Sequence, residues 1–116
     1  MIYLASPYSS PIAGAHELRF EKARAAVIHF LAQGVNVFSP IVYCHEMAAR
    51  SALRTDAAFW FKFNSDMLRS SEAMFVLCLP GWETSKGVQT EIKQARAILM
   101  PLHFFNEKHE QVVEAS

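Results

Sequence analysis

The sequence has no excess of charge of either sign, since eleven basic and eleven acidic residues cancel among 116 residues. Proteins that bind duplex nucleic acid or anionic membrane surfaces present a basic face, so neither kind of partner is expected. Cysteine is also scarce: Cys44 and Cys78 are the two examples, and both stand in apolar surroundings. We therefore expect no disulfide scaffold, and we expect the protein to lie in a reduced, cytoplasmic compartment.

Long hydrophobic runs and a targeting pattern are missing as well. No apolar stretch approaches the roughly 20 residues that span a bilayer. Residues 1–5 lead into Ser6 and Pro7 without the basic and apolar regions of a secretory signal. The chain is nevertheless 52% hydrophobic, which suffices for one packed core. Its length predicts a single domain over residues 1–116.

Several familiar nucleotide, metal and hydrolase motifs are also absent from the sequence. Gly87 is not followed by glycines in the dinucleotide-binding register, no Gly-Lys-Ser/Thr follows a strand, and no serine lies in a Gly-x-Ser-x-Gly turn. His45 and Glu46 begin like a zinc-binding helix, but Ala49 stands where the second histidine is needed. We therefore expect neither a metal site nor a cofactor.

What the sequence does contain is an alternation of short apolar runs with helical patterns. The pattern predicts strands at 2–5, 35–38, 73–79 and 102–105, helices at 15–33, 57–70 and 88–99, two helical turns near 43–50, and a frayed helix in the tail. This order is typical of an α/β fold, a doubly wound (flavodoxin- or Rossmann-like) three-layer sandwich with a four- or five-stranded parallel sheet. Such sheets bind ligands beyond the carboxyl ends of their strands, here in loops 6–14, 39–45 and 80–87.

Residue spacing predicts which helix faces are buried and where two helices begin or end. The expected core faces are Ala23, Val27, Phe30 and Leu31 in the first helix, and Val88, Ile92, Ala95 and Leu99 in the last. Gly34 is expected to end the first helix, and Asp56 to cap the helix over 57–70.

Two carboxylates flank apolar helix faces, and each has two interpretations. Glu91 has no basic residue three or four positions away, so it is either a solvated acid near a helix N-terminus or a functional group. Asp66 has Lys62 and Arg69 within helical reach, so it is either paired locally or partly buried with a role. Spacing alone leaves both questions open.

The predicted loops carry hydroxyl groups and glycines suited to a small polyhydroxylated or anionic ligand. Gly81 and Gly87 allow tight turns before the last helix, and Thr84 and Ser85 offer hydroxyls near its start. The loop of residues 8–10 (Tyr-Ser-Ser) follows the first strand and is expected to face them across the strand ends.

Three segments together resemble the nucleoside 2-deoxyribosyltransferase family and its nucleotide N-glycosidase relatives. Residues 2–7 (Ile-Tyr-Leu-Ala-Ser-Pro) are similar to that family's opening strand and loop, and residues 64–66 (Asn-Ser-Asp) are similar to its aspartate segment. Residues 87–91 (Gly-Val-Gln-Thr-Glu) with the later Ala95 resemble its Gly-x-x-x-Glu-x-x-x-Ala nucleophile segment. The resemblance extends over roughly residues 1–105 and is strongest to minimal bacterial and phage members.

This resemblance implies cleavage of the N-glycosidic bond of a (deoxy)nucleoside or nucleoside 5′-monophosphate through a glutamate nucleophile. Glu91 would attack the anomeric carbon, and Tyr3 would orient it through its hydroxyl. Asp66 would either share a proton with the leaving base or hold a sugar hydroxyl. The further substrate contacts are expected from hydroxyls, a glycine and rings that stack on the base: Ser6, Ser9, Ser10, Ser85, Gly87, Tyr8, His45 and Trp82.

The resemblance also bears on two further questions: which acceptor resolves the glycosyl-enzyme, and whether the substrate carries a phosphate. Water would resolve the glycosyl-enzyme in a hydrolase, and a second base would do so in a transferase. Transferases of this family complete their site with a long C-terminal segment from a neighbouring subunit. For this sequence we therefore expect hydrolysis rather than transfer. Nucleotide-preferring relatives carry arginine in the first loop, whereas Arg19 lies farther along this chain. The preference for a phosphate therefore stays open.

Family members are usually homo-oligomers, and the aromatic run over 59–63 has more apolar surface than one small sheet covers, so we expect a dimer or higher assembly. Two alternatives to the cleavage of a nucleoside or nucleoside monophosphate remain. One is a non-catalytic nucleotide-binding sensor or interaction module on the same fold. The other is a glycohydrolase that acts on NAD through the same nucleophile.

Overall fold

A computed structural model of the chain describes residues 1–50 and 57–113. The described residues form strands β1 (Ile2–Ala5), β2 (Val37–Phe38), β3 (Ala73–Leu77), β4 (Leu102–Phe105) and β5 (Gln111–Val112), and helices α1 (Ala15–Ala32), α2 (Pro40–Arg50), α3 (Ala57–Arg69) and α4 (Lys86–Ala97). A short 3₁₀ turn at Trp82–Thr84 precedes α4. The predicted alternation is confirmed, whereas the predicted cap at Asp56 lies outside the described residues.

The strands form one sheet in the order β2-β1-β3-β4-β5. β1 pairs in parallel with β2 and β3, and β3 pairs in parallel with β4. The doubly wound α/β class is therefore confirmed, with four parallel strands.

The fifth strand corrects one expectation: β5 lies in the tail predicted as a frayed helix, and it pairs with β4 in the antiparallel direction at the edge of the four parallel strands. The Asn106 side chain accepts hydrogen bonds from the backbone N–H groups of Lys108 and Glu110, at 2.9 and 3.0 Å. His109 takes a left-handed φ of 66°. These contacts fold the chain into a hairpin, so the predicted helical tail is wrong over the described residues.

The two faces of the sheet are covered by different helices because successive residues of a strand point to opposite sides. Leu4 of β1 packs on the α1 side with Ala26 and Phe30. Its neighbours Tyr3 and Ala5 lie on the other side, in a core cluster that holds residues of α3, α4, β3 and β4: Leu68, Val88, Ile92, Ala95, Met74, Val76 and Phe104. This alternation places the Tyr3 side chain in the same layer as α4.

Two helices end in the same hydrogen-bonded motif but with different residues at its left-handed position. After α1, Gly34 (φ 80°) donates to Leu31 O and Val35 donates to Phe30 O. After α4, Leu99 (φ 56°) donates to Arg96 O and Met100 donates to Ala95 O. Both are Schellman motifs, which usually place glycine where the chain turns left-handed. Gly34 is thus confirmed as the stop of α1.

The motif after α4 also explains why one core prediction is wrong. Helical spacing predicts Leu99 on the buried face of α4, but the residue lies beyond the helix and is 91% exposed. Helical spacing no longer applies once the backbone turns left-handed. Leu31 is a second exception: it lies within the last turn of α1 and is 50% exposed, although spacing predicts it in the core.

Replacing Leu99 by glycine is expected to raise the free energy of unfolding by about 1 kcal/mol. Glycine relieves the left-handed strain of about 1–2 kcal/mol, which outweighs its larger loss of backbone entropy. Urea titration followed by circular dichroism measures the change. Gly34→Ala is the matched control and should lose about 1 kcal/mol, since a Cβ there meets nothing within 4 Å and φ alone is strained. A loss of stability in Leu99→Gly would contradict the prediction.

Candidate active site

Tyr3 and Glu91 form a side-chain pair that connects β1 to α4. Ser85 caps α4 by accepting a 3.3 Å hydrogen bond from the N–H of Val88. The helix thereby starts just beyond the carboxyl end of β3 and carries Glu91 in its second turn. The Tyr3 side chain is fully buried, and its hydroxyl donates a hydrogen bond to Oε2 of Glu91. The contact implied by the resemblance is present.

The pair has an unusual electrostatic environment. Burial raises the pKa of Glu91 to about 7, and the hydrogen bond from Tyr3 lowers it in part. The pKa of Tyr3 is raised by burial and by the negative charge of Glu91, so the tyrosine stays a hydrogen-bond donor. The interpretation of Glu91 as a solvated acid is therefore wrong.

Asp66 lies on the exposed surface of α3 in a local ion-pair cluster. Its carboxylate accepts hydrogen bonds from Lys62 at 2.9 Å and from Arg69 at 2.5 Å. The hydrogen bond from Lys62 and the charges of both partners lower the pKa of Asp66. Local pairing is confirmed, and within the described ranges the side chain of Asp66 makes no hydrogen bond to Tyr3 or Glu91. A role toward substrate stays a prediction.

Tyr8 and His45, expected as stacking partners for a base, contact each other. The Tyr8 hydroxyl lies 2.6 Å from Nδ1 of His45, and Nε2 of His45 lies 3.1 Å from Oε2 of Glu17. The His45 ring stacks on Phe20 at 4.1 Å, and Tyr8 stacks on His16 at 4.8 Å. Each ring therefore has one face occupied by a protein ring.

Arg19 connects the loops that follow β1 and β3. It donates to the carbonyl of Ser9 at 2.7 Å and to the carbonyl of Pro80 at 3.2 Å. Gly81 has a φ of 91°, and a Cβ there would lie 3.0 Å from Nη2 of Arg19. Sequence distance suggested that Arg19 lies apart from the first loop, whereas the structure places its guanidinium between the two loops.

The serines expected at the ligand have different surroundings. Ser6 is buried and, among the described residues, its hydroxyl has no hydrogen-bond partner. Ser9 is exposed, and its carbonyl is the group that Arg19 binds. The hydroxyls of Ser10 and Ser85 accept backbone hydrogen bonds from Ile12 and Val88, at 3.1 and 3.3 Å. These last two serines therefore stabilise the loop and the helix start.

Trp82 and Gly87 are the remaining expected contacts. Trp82 is partly buried against the core and packs on Phe104 at 5.6 Å between ring centroids. Gly87 lies in the first turn of α4, where an added Cβ would meet nothing within 4 Å.

Two further observations concern other kinds of site. Across residues 1–50 and 57–113, no three His, Cys, Asp or Glu side chains are placed to hold a metal ion. No helix within those ranges is long and apolar enough to cross a membrane.

Sequence reasoning missed Glu17, Phe20 and Arg19 as parts of this region. Glu17 and Phe20 are three positions apart and share one face of α1, so their common contact with His45 follows from helical spacing. No local signal, however, pairs α1 with α2.

Comparison with known proteins agrees with the fold. A family model described as a domain of unknown function (DUF1937) matches residues 1–107. The 2-deoxyribosyltransferase of the psychrotolerant bacterium Bacillus psychrosaccharolyticus superposes with a TM-score of 0.62 at 20% identity, over 97% of this chain and 76% of that one. The Leishmania mexicana 2-deoxyribosyltransferase gives a TM-score of 0.56 at 20% identity, over 90% of this chain and 63% of that one. A search of curated proteins found no match. The similarity confirms the α/β fold predicted from the alternation of strands and helices.

Proposed function

The chain belongs to the DUF1937 family, and we propose that it is an enzyme that cleaves the N-glycosidic bond of a nucleoside or nucleoside 5′-monophosphate. The observation that carries this proposal is the partly buried Glu91, held by the hydroxyl of the fully buried Tyr3. The fold shared with two 2-deoxyribosyltransferases supports it.

In the proposed reaction Glu91 acts as the nucleophile. Tyr3 binds Oε2, which leaves Oε1 to attack the anomeric carbon. The C–N bond breaks, its electron pair goes to the base nitrogen, and a glycosyl ester forms on Glu91. Water then attacks the same carbon in a hydrolase, or a second base does so in a transferase, and the carboxylate is released with net retention at the anomeric carbon.

Asp66 fits one of its two expected roles better than the other. Its pKa is lowered by Lys62 and Arg69, so it is ionised at neutral pH and has no proton to give. An ionised carboxylate accepts hydrogen bonds. We therefore assign Asp66 to a sugar hydroxyl.

The proposal predicts that kcat/KM rises with pH through a value near 7. Glu91 attacks only when ionised, and its pKa is raised to about 7 by burial. The kcat/KM profile reports groups of the free enzyme. It should be measured between about pH 5 and pH 9, with circular dichroism at each pH to confirm folding. A profile that is flat or falls across this range would contradict an ionised Glu91 as the nucleophile.

A chromatographic assay for free base tests the function itself. The wild type and Glu91→Ala are incubated with ribo- and deoxyribonucleosides, their 5′-monophosphates and NAD, with and without a second base. Release by the wild type alone supports the proposal and identifies the substrate, and exchange with the added base distinguishes transfer from hydrolysis. Silence from a folded wild type overturns the proposal, and binding without turnover would then favour a sensor.

We also propose that the chain forms a homo-oligomer through the aromatic surface of α2 and α3. Tyr43 and Phe61 are each 53% exposed, and the Tyr43 ring stacks on Phe63 at 5.7 Å. Light scattering of the wild type is expected to show a dimer or larger species, and Phe61→Ser to shift it toward the monomer. A wild type that is monomeric at high concentration would contradict this expectation.

A further inference from the structure

We propose that Glu17, His45 and Tyr8 form a proton relay whose terminal hydroxyl, on Tyr8, protonates the leaving base. This inference rests on the proposed glycosidic cleavage. The three side chains come from α1, α2 and the loop after β1, so the arrangement exists only in the folded chain. It has the order carboxylate, imidazole, hydroxyl.

The contacts fix the direction of proton transfer. Nε2 of His45 lies 3.1 Å from Glu17, and Nδ1 lies 2.6 Å from the Tyr8 hydroxyl. A carboxylate only accepts, so Nε2 carries a proton and Nδ1 faces Tyr8. In the imidazolium form, Nδ1–H donates to the Tyr8 oxygen, which frees the hydroxyl proton for another acceptor.

Ring packing holds the relay in place. Only 14% of the His45 side chain is exposed, and its ring lies almost parallel to that of Phe20, with 15° between the planes. Tyr8 meets His45 edge-on at 88° and is backed by His16. The two hydrogen bonds therefore form between groups of restricted orientation, as a proton relay requires.

The relay lies on the same side of the sheet's strand ends as the Tyr3–Glu91 pair. Tyr8 is three residues beyond β1, the strand that carries Tyr3. The ring of Phe38, which precedes α2 by two residues, lies 6.1 Å from the Tyr3 ring and 5.5 Å from the ring of Tyr43 on α2. α2 is thus adjacent to both groups.

The proposed reaction needs a proton donor for the leaving base, and neither Glu91 nor Asp66 supplies the proton. Glu91 must be ionised to attack, and the lowered pKa of Asp66 leaves it without a proton. When the C–N bond breaks, its electron pair goes to the base, which takes the proton of the Tyr8 hydroxyl. The His45 imidazolium returns a proton to the Tyr8 oxygen. In the second step water gives its oxygen to the anomeric carbon and a proton back through Tyr8 to His45.

The test compares leaving groups that do and do not need a proton. The base of 7-methylguanosine is already cationic and departs as a neutral molecule, whereas the base of guanosine requires protonation. Tyr8→Phe, His45→Gln and Glu17→Gln are each expected to slow base release from guanosine about 10²- to 10³-fold. Release from 7-methylguanosine should change less than about threefold. If the enzyme prefers deoxyribonucleosides, the deoxy forms of both substrates are used instead. If it acts only on pyrimidines, the pair is a pyrimidine nucleoside and its 5-fluoro analogue.

Glu17→Gln is the most informative variant because the Glu17 side chain is 65% exposed and its replacement leaves the core intact. Tyr43→Phe, on the same helix as His45, is the matched control and should leave both rates unchanged. Equal losses on both substrates, or no loss on guanosine, would overturn the relay while the proposed function stands. A wild type that releases no base from any substrate would overturn both.

Discussion

Replacing Glu91 by glutamine is expected to reduce base release by a factor on the order of 10⁴ or more while making the fold more stable at alkaline pH. Loss of the nucleophile removes the covalent route, and single losses of this kind are among the largest known in enzymes. Glutamine keeps the shape and an oxygen that accepts from Tyr3. The variant should therefore bind substrate without turning it over.

The gain in stability follows from the pKa of Glu91, which burial raises from its ordinary value of 4.5 to about 7 in the folded chain. Between these values the folded state holds a proton that the unfolded state has lost. The wild type therefore loses stability as pH rises from about 4.5 to 7, by up to about 3 kcal/mol, and the cost persists above pH 7. Glutamine carries no charge at any pH and avoids this cost.

Urea unfolding at pH 5 and pH 8.5 measures the effect. The free energies of unfolding of wild type and Glu91→Gln should be similar at the lower pH, and the variant should be more stable at the higher. Glu83→Gln, which neutralises an exposed acid in the turn before α4, is the matched control and should show no such dependence. A variant that turns over substrate, or that is less stable at pH 8.5, would contradict the assignment of Glu91.

The sequence predicts the layers of this fold better than its ends. Buried strands and helix faces follow from period, so Leu4, Ala23 and Ile92 lie where spacing puts them. β5 is two residues long and exposed, and its pairing depends on the Asn106 turn. Leu99 leaves the core because one left-handed residue resets the helical phase. Neither the pairing of β5 nor the left-handed turn at Leu99 can be predicted from the spacing of hydrophobic residues.

In the candidate site, too, local sequence indicates single residues but not the contacts between distant ones. Glu91 was notable for lacking a local partner, but that fact alone did not separate a solvated acid from a buried one. Its partner Tyr3 is 88 positions away and was identified only through a resemblance. The contact of Glu17 with His45 spans 28 positions and two helices, and it depends on how α2 crosses α1. Period and local propensity carry no information on such a crossing.

Replacing Tyr3 by phenylalanine is expected to lower kcat/KM at pH 7 roughly 10- to 100-fold, the range that corresponds to one charge-assisted hydrogen bond of about 1.5–3 kcal/mol. The Tyr3 hydroxyl lowers the pKa of Glu91, so its removal raises that pKa further. The rising limb of the pH profile should move to higher pH, and part of the lost activity should return in alkaline buffer.

The pH dependence distinguishes this mechanism from a packing defect. Tyr3 is fully buried, so Tyr3→Phe also tests the core, and a purely structural loss would lower kcat/KM by the same factor at every pH. The double variant Tyr3→Phe/Glu91→Gln completes a cycle. If the hydroxyl acts through the carboxylate, the coupling in the free energy of unfolding should be larger at pH 8.5, where Glu91 is ionised, than at pH 5. A limb that stays in place, with coupling equal at both pH values, would show that Tyr3 fills space in the core and does not set the charge of Glu91.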